Sequence, residues 1–132
     1  MRLLSRPRIE ASAHCDLPCG VYDPAQAKIE AQSVKAIQEK YQGNDDTTFR
    51  QRAVEIKEQR CELVKHHLWV LWTDYFKPPH FEAHPNLHDL FNRATKAAGA
   101  GGAKGSNDPA TGQALLDLID EIDAIFWETK KA

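Results

Sequence analysis

The chain has 132 residues and a formal net charge of −2 at pH 7, because 19 acidic residues slightly outnumber 17 basic ones. This length predicts one domain, large enough to bury a hydrophobic core without extra crosslinks. The sequence contains no basic patch of the kind that nucleic-acid-binding proteins carry, and no apolar run approaches the roughly 20 residues of a transmembrane helix. We therefore expect neither a nucleic-acid partner nor a membrane span.

Residues 1–13 are interpreted as a pro-peptide that is removed on maturation. The tripeptide Ala11-Ser12-Ala13 is similar to a signal-peptidase site, and the segment is basic. However, Arg6-Pro7-Arg8 and Glu10 interrupt the continuous apolar run of roughly 7–15 residues that an export signal needs. Cleavage removes three Arg and one Glu, which takes the formal charge from −2 to −4 and leaves residues 14–132 as the mature domain. A disordered native N-terminus is the alternative.

The next segment, residues 14–22, brings His14, Cys15 and Cys19 together around a Pro/Gly turn. After a cut behind Ala13, the His14 α-amine, the Cys15 backbone nitrogen and the Cys15 sulfur can bind one metal as two fused five-membered rings, and Cys19 supplies a fourth donor. Two sulfurs and two nitrogens alone suggest tetrahedral zinc. Fused rings with a deprotonated amide favour a planar site, which Ni(II) and Cu(II) prefer. Because Cu(II) tends to oxidise thiolates, we interpret this metal hook as a nickel site, with the His14 imidazole available as an axial ligand.

Three cysteines are an odd number, whereas a secreted disulfide scaffold would normally pair all of them. We therefore expect reduced thiols and a cytoplasmic protein, in which a cysteine pair is more often metal-binding or catalytic. Cys61 lies outside the hook and is expected to be a small, buried helix residue.

The first predicted helix begins at Asp23-Pro24, with Asp as the N-cap and Pro in the first helical position, and ends near Tyr41. A second, longer helix is capped by Asp45 or Asp46 and ends near Thr73. The predicted inner face of the first helix consists of Ile29, Ser33, Ala36, Ile37 and Tyr41. The 3–4 alternation of the second helix predicts an inner face of Phe49, Ala53, Ile56, Arg60, Leu63, His67 and Val70.

Two prolines predict that residues 76–81 are not helical. Pro85 opens a third helix that ends near Ala98, and residues 99–106 form a loop of small residues. Asp108-Pro109 repeats the helix start of the first helix. The predicted inner residues of the last two helices are Leu87, Leu90, Phe91 and Ala94, then Leu115, Leu118, Ile119, Ile122, Ile125 and Phe126. No segment has a convincing strand pattern. Four amphipathic helices predict an all-α fold, an up-down-up-down four-helix bundle with the hook at its N-terminus.

The hook resembles that of the nickel superoxide dismutases, and the likeness continues along the chain. The similar runs are residues 14–24 (HCDLPCGVYDP), 56–60 (IKEQR), 65–67 (KHH), 74–81 (DYFKPPHF), 108–113 (DPATGQ) and 125–132 (IFWETKKA). The resemblance implies an enzyme that alternates between Ni(II) and Ni(III) while it converts superoxide to dioxygen and hydrogen peroxide. It also implies a homohexamer with one nickel ion per subunit, and a maturation protease that exposes the N-terminal histidine.

The resemblance also assigns roles to residues around the metal. It gives His14, Cys15 and Cys19 as the ligands, with the His14 ring axial. Tyr22 lies over the open face of the metal and limits what reaches it, and Lys77 attracts the anion. On sequence alone, Tyr22 is equally an ordinary packing residue at a helix end.

Four further residues are expected to support the hook. The resemblance implies that Asp16 and Tyr75 brace it, and that Glu30 and Arg60 orient the His14 imidazole. The sequence agrees in one respect, because Glu30 on the first helix and Arg60 on the inner face of the second can form an ion pair across the helix interface. The alternative for Arg60 is a stem that extends to the bundle surface. Tyr75 alone is also compatible with a packing role.

Three functions remain open at this point: the dismutase, a small helical protein that delivers nickel or copper without turnover, and a structural bundle in which Cys15 and Cys19 form a disulfide. Bound nickel without turnover would favour the second, and an intact N-terminus in the purified protein would favour the third. His66 and His67 are more often core or surface histidines than ligands, and we assign them no metal.

Overall fold

The structure, a computed structural model, describes residues 19–131, and these residues contain helices and turns but no strand. The elements in chain order are α1 (Ala25–Gln42), α2 (Thr47–Val70), a π-helical turn (Leu71–Tyr75), α3 (Pro78–Ala83), α4 (Leu87–Ala97), a 3-10 turn (Ala103–Gly105) and α5 (Pro109–Lys130). Helix α1 packs against α2 and α5, and α4 packs against α5 and α2. The predicted all-α four-helix bundle is confirmed. No described helix is long and apolar enough to cross a membrane.

Acidic side chains fix the starts of three long helices, as the sequence predicts. The carboxylates of Asp23, Asp46 and Asp108 accept hydrogen bonds of 2.9 Å from the backbone N–H groups of Ala25, Phe49 and Ala110, respectively. Each bond satisfies an N–H that has no partner within its own helix.

The predicted inner faces are confirmed for α4 and α5 and wrong for α1; for α2 only Ala53 and Val70 of the predicted face are buried. In α1 the buried residues are Ala27, Ala31, Val34 and Gln38, while Ile29 is 58% exposed. In α2 the buried residues are Ala53, Lys57, Cys61, Val64, Leu68 and Val70. Both helices therefore present a different face to the core from the predicted one. The predicted burial of Cys61 is confirmed.

Two polar side chains occupy this core for a structural reason. The Lys57 ammonium donates to the Ser106 carbonyl at 2.7 Å and to the Asn107 side-chain oxygen at 3.0 Å. The Gln38 amide donates to the same carbonyl at 3.0 Å and to the Thr111 hydroxyl at 2.8 Å. Burial lowers the pKa of Lys57. These bonds tie the loop before α5 to α1 and α2, so the loop carbonyls are satisfied inside the bundle.

The proline segment does not behave as predicted. Pro78 and Pro79 begin the short helix α3, where a missing backbone N–H costs nothing because the first helical turn has no acceptor for it. Before it, α2 continues into the π-helical turn, which closes with a hydrogen bond of 3.0 Å from the Phe76 N–H to the Leu71 carbonyl. This turn brings Tyr75 and the buried Phe76 to the end of the bundle where α1 starts.

Candidate metal centre and substrate cavity

One end of the bundle, where α1 begins and α5 ends, carries the described part of the predicted site. A cavity of about 270 Å³ is lined there by Gly20, Tyr22, Asp74, Tyr75, Lys77 and Lys130. Three of the predicted site residues, His14, Cys15 and Asp16, lie outside the described residues. The structure therefore brings Tyr22, Tyr75 and Lys77 together around one cavity, immediately beside the last predicted ligand, Cys19.

A tight turn presents Cys19 next to this cavity. Gly20 has a φ of +73°, a conformation that favours glycine, and the Val21 N–H donates to the Cys19 sulfur at 3.4 Å. The Cys19 side chain is exposed, so the turn presents a soft donor of the kind that nickel accepts.

Cys61 is unsuited to the same role. It is fully buried, and burial raises the pKa of its thiol to about 11, although Lys57 and Lys104 oppose the rise. A group with this pKa is a neutral thiol at pH 7, whereas a metal ligand must be a thiolate. Within residues 19–131, no three His, Cys, Asp or Glu residues cluster as a metal site. Of the two described cysteines, Cys19 is the one whose chemistry fits nickel.

Two aromatic rings form one wall of the cavity. The Tyr22 and Tyr75 ring centroids are 5.7 Å apart. The Tyr75 hydroxyl shares a hydrogen bond of 2.7 Å with the Thr129 hydroxyl, and its ring lies 4.4 Å from that of Phe126. Contacts with α5 thus fix the position of Tyr75, and Tyr75 in turn packs against Tyr22.

Charged groups complete the wall. The Lys77 ammonium donates to the Asp74 carbonyl at 2.9 Å, and the Lys130 ammonium lies 5.1 Å from the Tyr75 ring centroid. One carboxylate oxygen of Asp74, Oδ2, is buried without a hydrogen-bond partner among the described residues. Neither Asp74 nor Lys130 was predicted from the sequence as a site residue. Asp74 lies in the family-like run 74–81 and Lys130 in the run 125–132, and this position in the sequence could have indicated a role in the site.

The predicted contact between Glu30 and Arg60 is present. The Arg60 guanidinium nitrogen Nη1 lies 3.2 Å and 3.4 Å from the two carboxylate oxygens of Glu30. The carboxylate side chain is 18% exposed and the guanidinium side chain 37% exposed, so solvent partly screens the pair. Neither residue lines the cavity. The predicted connection between this pair and the cavity runs through His14, outside the described residues.

Comparison with known proteins identifies the family. Residues 9–130 match the family described as nickel-containing superoxide dismutase. The chain belongs to this family. It is therefore an oxidoreductase that acts on superoxide with a nickel cofactor, and the first of the three functions left open by the sequence is confirmed.

Individual relatives agree with this assignment. The enzyme is 68% identical to the "Superoxide dismutase [Ni]" of Streptomyces coelicolor and to that of Streptomyces seoulensis, over 98% of this chain and 100% of each relative. It is also similar to a native nickel superoxide dismutase crystal structure, with 70% identity and a TM-score of 0.87 over 90% of this chain and 100% of that one. A structure with nickel ligation of the oxidised state has 71% identity and the same TM-score.

The Gly20 turn leads to a testable prediction. A Cβ at Gly20 would meet no atom of residues 19–131 within 4 Å, so within the described part of the chain Gly20→Ala acts through the positive φ. The left-handed conformation costs an L-residue about 1–2 kcal/mol, and we expect nickel affinity to fall about 5- to 30-fold. The measurement is nickel competition against a chelator. Gly43→Ala is the control, because Gly43 has a φ of −93° and an added Cβ would make only ordinary van der Waals contacts, at 3.8 Å from the Glu39 carbonyl oxygen and 3.9 Å from that of Lys40. Equal affinities for both variants would show that the turn does not position Cys19 for the metal.

Proposed function

We propose that this enzyme binds nickel through the hook and admits superoxide through the cavity beside Cys19. The observation that carries the proposal is the convergence of an exposed thiol on a glycine turn with two tyrosines and two lysines at one end of the bundle. His14, through its amine and ring, and Cys15, through its amide nitrogen and sulfur, would complete the ligand set. Bound nickel supplies a one-electron couple whose potential, lowered by anionic sulfur and amide donors, lies between the two half-reactions of superoxide.

The residues of the chain have separable tasks around that centre. The rings of Tyr22 and Tyr75 narrow the cavity on one side and limit what reaches the metal. The Lys77 ammonium, held by the Asp74 carbonyl, attracts the anion. The Glu30 carboxylate, paired with Arg60, orients the His14 imidazole by accepting a hydrogen bond from its ring N–H, and Asp16 braces the hook together with Tyr75.

Maturation by removal of residues 1–13 belongs to the same proposal. The match to the native nickel superoxide dismutase structure covers all of that chain but only 90% of this one, or about 119 residues. Residues 14–132, which would remain after cleavage, also number 119. The curated relatives are matched over 98% of the chain. These coverages support cleavage after Ala13, which a maturation protease would carry out. The hook cysteines are better preserved as thiols in a reducing compartment, which supports a cytoplasmic enzyme.

The precursor tests this part of the proposal. We expect the uncleaved 132-residue chain to bind nickel weakly and to have no dismutase activity, because an amide at the His14 nitrogen is a poorer donor than an amine. The measurement compares nickel content, N-terminal mass and activity of the precursor and of a chain that begins at His14. Full activity of the uncleaved chain would contradict an amine ligand.

A homohexamer is the proposed assembly. Several large apolar side chains are exposed on the described surface, among them Ile29 at 58%, Trp69 at 45% and Trp127 at 46%. Exposed apolar side chains that form a contiguous patch can be buried against another copy of the chain. Their distribution over α1, α2 and α5 fits an assembly with more than one kind of contact.

The cysteines provide the test of the ligand set. We expect Cys15→Ser and Cys19→Ser to lose nickel and activity while helicity is retained, because the hook precedes the helical core. Cys61→Ser is the matched control: its thiol is buried and protonated, so nickel content is expected to remain near one ion per subunit. The measurements are metal analysis, activity and circular dichroism. Activity in either hook variant would show that nickel does not require two thiolates.

Arg60 tests the orientation of the imidazole. Arg60→Ala leaves Glu30 largely buried and without its cation. Breaking a fully buried pair costs about 3–5 kcal/mol, and breaking this partly exposed pair should cost less. We expect reduced activity with nickel retained. The decisive measurement is the nitrogen splitting in the electron paramagnetic resonance spectrum of the oxidised enzyme, which should weaken as the His14 ring loosens. Unchanged splitting with full activity would mean that Arg60 has a structural role only.

A further inference from the structure

Lys130 occupies a position in the cavity that the proposed function does not use. It belongs to the family-like ending of the chain, residues 125–132, and lines the cavity together with Lys77 and Asp74. These three are the formally charged side chains of the described wall. Two ammonium groups and one carboxylate give the wall a formal charge of +1, and without Lys130 this charge is zero.

Aromatic rings hold the Lys130 ammonium in place. Its Nζ lies 5.1 Å from the Tyr75 ring centroid and 5.5 Å from that of Phe126, both within cation–π range. The preceding residue, Thr129, is hydrogen-bonded to the Tyr75 hydroxyl, which fixes the last turn of α5 against the cavity. A cation is also favourable at the C-terminal end of a helix. The charge is therefore anchored beside the ring that narrows the cavity.

We propose that Lys130 is a second anion-attracting residue of this enzyme, which acts with Lys77 to increase the rate at which superoxide enters the cavity. This inference rests on the proposed function of the cavity as the substrate route. Superoxide is a small monovalent anion, and a cavity with low-dielectric walls concentrates the field of the charges that line it. Superoxide dismutases work near the diffusional ceiling, so capture of the anion limits their kcat/KM.

The test removes the positive charge of Lys130 and keeps an unbranched side chain of similar length. Lys130→Met retains the packing against Tyr75 and Phe126, and Lys131→Met removes the same charge from a residue that does not line the cavity. Pulse radiolysis gives kcat/KM for superoxide on the nickel-loaded, cleaved enzyme. At about 10 mM ionic strength we expect a 2- to 5-fold loss for Lys130→Met and less than about 1.5-fold for Lys131→Met. At about 0.5 M salt the loss should disappear, because the screening length is then only a few ångströms. Lys130→Arg should restore the rate.

Three outcomes would overturn the inference. A loss that persists at high salt would mean that Lys130 acts by packing on Tyr75, and equal losses for Lys130→Met and Lys131→Met would mean that only net charge matters. No loss at low salt would mean that Lys130 plays no part in capture. Lys77→Met, measured in parallel, separates this inference from the proposed function. If Lys77→Met alone shows a salt-sensitive loss, only the inference on Lys130 fails. If neither variant does, the cavity is not the substrate route.

Discussion

The arrangement of the site depends on the contact between Tyr75 and the last turns of α5. Tyr75 ends the π-helical turn after α2, and it meets Thr129 through a hydrogen bond of 2.7 Å and Phe126 through ring packing at 4.4 Å. This contact joins the second and fifth helices at the end where the first begins. Tyr22 packs on the Tyr75 ring. The short segment from Cys19 to Tyr22 is therefore held in position mainly by contact with the core, and less by hydrogen bonds within the segment. A binding segment outside the bundle thereby gains the rigidity of elements inside it.

The two ends of the bundle have different chemistry. At the site end, aromatic rings and lysines surround a cavity. Near the other end, Lys57 and Gln38 satisfy loop carbonyls in the core. Gln38 lies 13 residues after Ala25, the first residue of α1, or about 20 Å along a helix. Buried polar groups with defined partners at one end fix the loop between α4 and α5, and this in turn fixes where α5 starts and how far its C-terminal turn reaches toward the cavity.

The sequence predicted the helix starts and the inner faces of α4 and α5 because acidic caps and a continuous 3–4 pattern of large apolar residues are local signals. It failed for α1 and α2 because Ile29 and Ile56 are large and apolar but lie on the outer surface, while Ala27 and Lys57 face the core. Alanine occurs on both buried and exposed faces, so it predicts burial poorly. Burial of a lysine can be predicted only once the loop that accepts its hydrogen bonds is known. For the site, the family-like runs pointed to Tyr22, Tyr75 and Lys77. Asp74 and Lys130 were missed because their convergence depends on a π-helical turn and the reach of α5.

Cys61 illustrates how burial protects an enzyme from its own chemistry. Dismutation releases hydrogen peroxide inside the molecule's own solvent shell, and peroxide oxidises cysteine through the thiolate, first to sulfenic acid and then irreversibly. With a pKa of about 11 and no exposed surface, the Cys61 thiol has almost no reactive form at pH 7 and no access to oxidant. The core can therefore keep a sulfur-containing side chain through many turnovers. The exposed Cys19 has no such shelter; as the proposed nickel ligand, its thiolate would be protected by coordination to the metal.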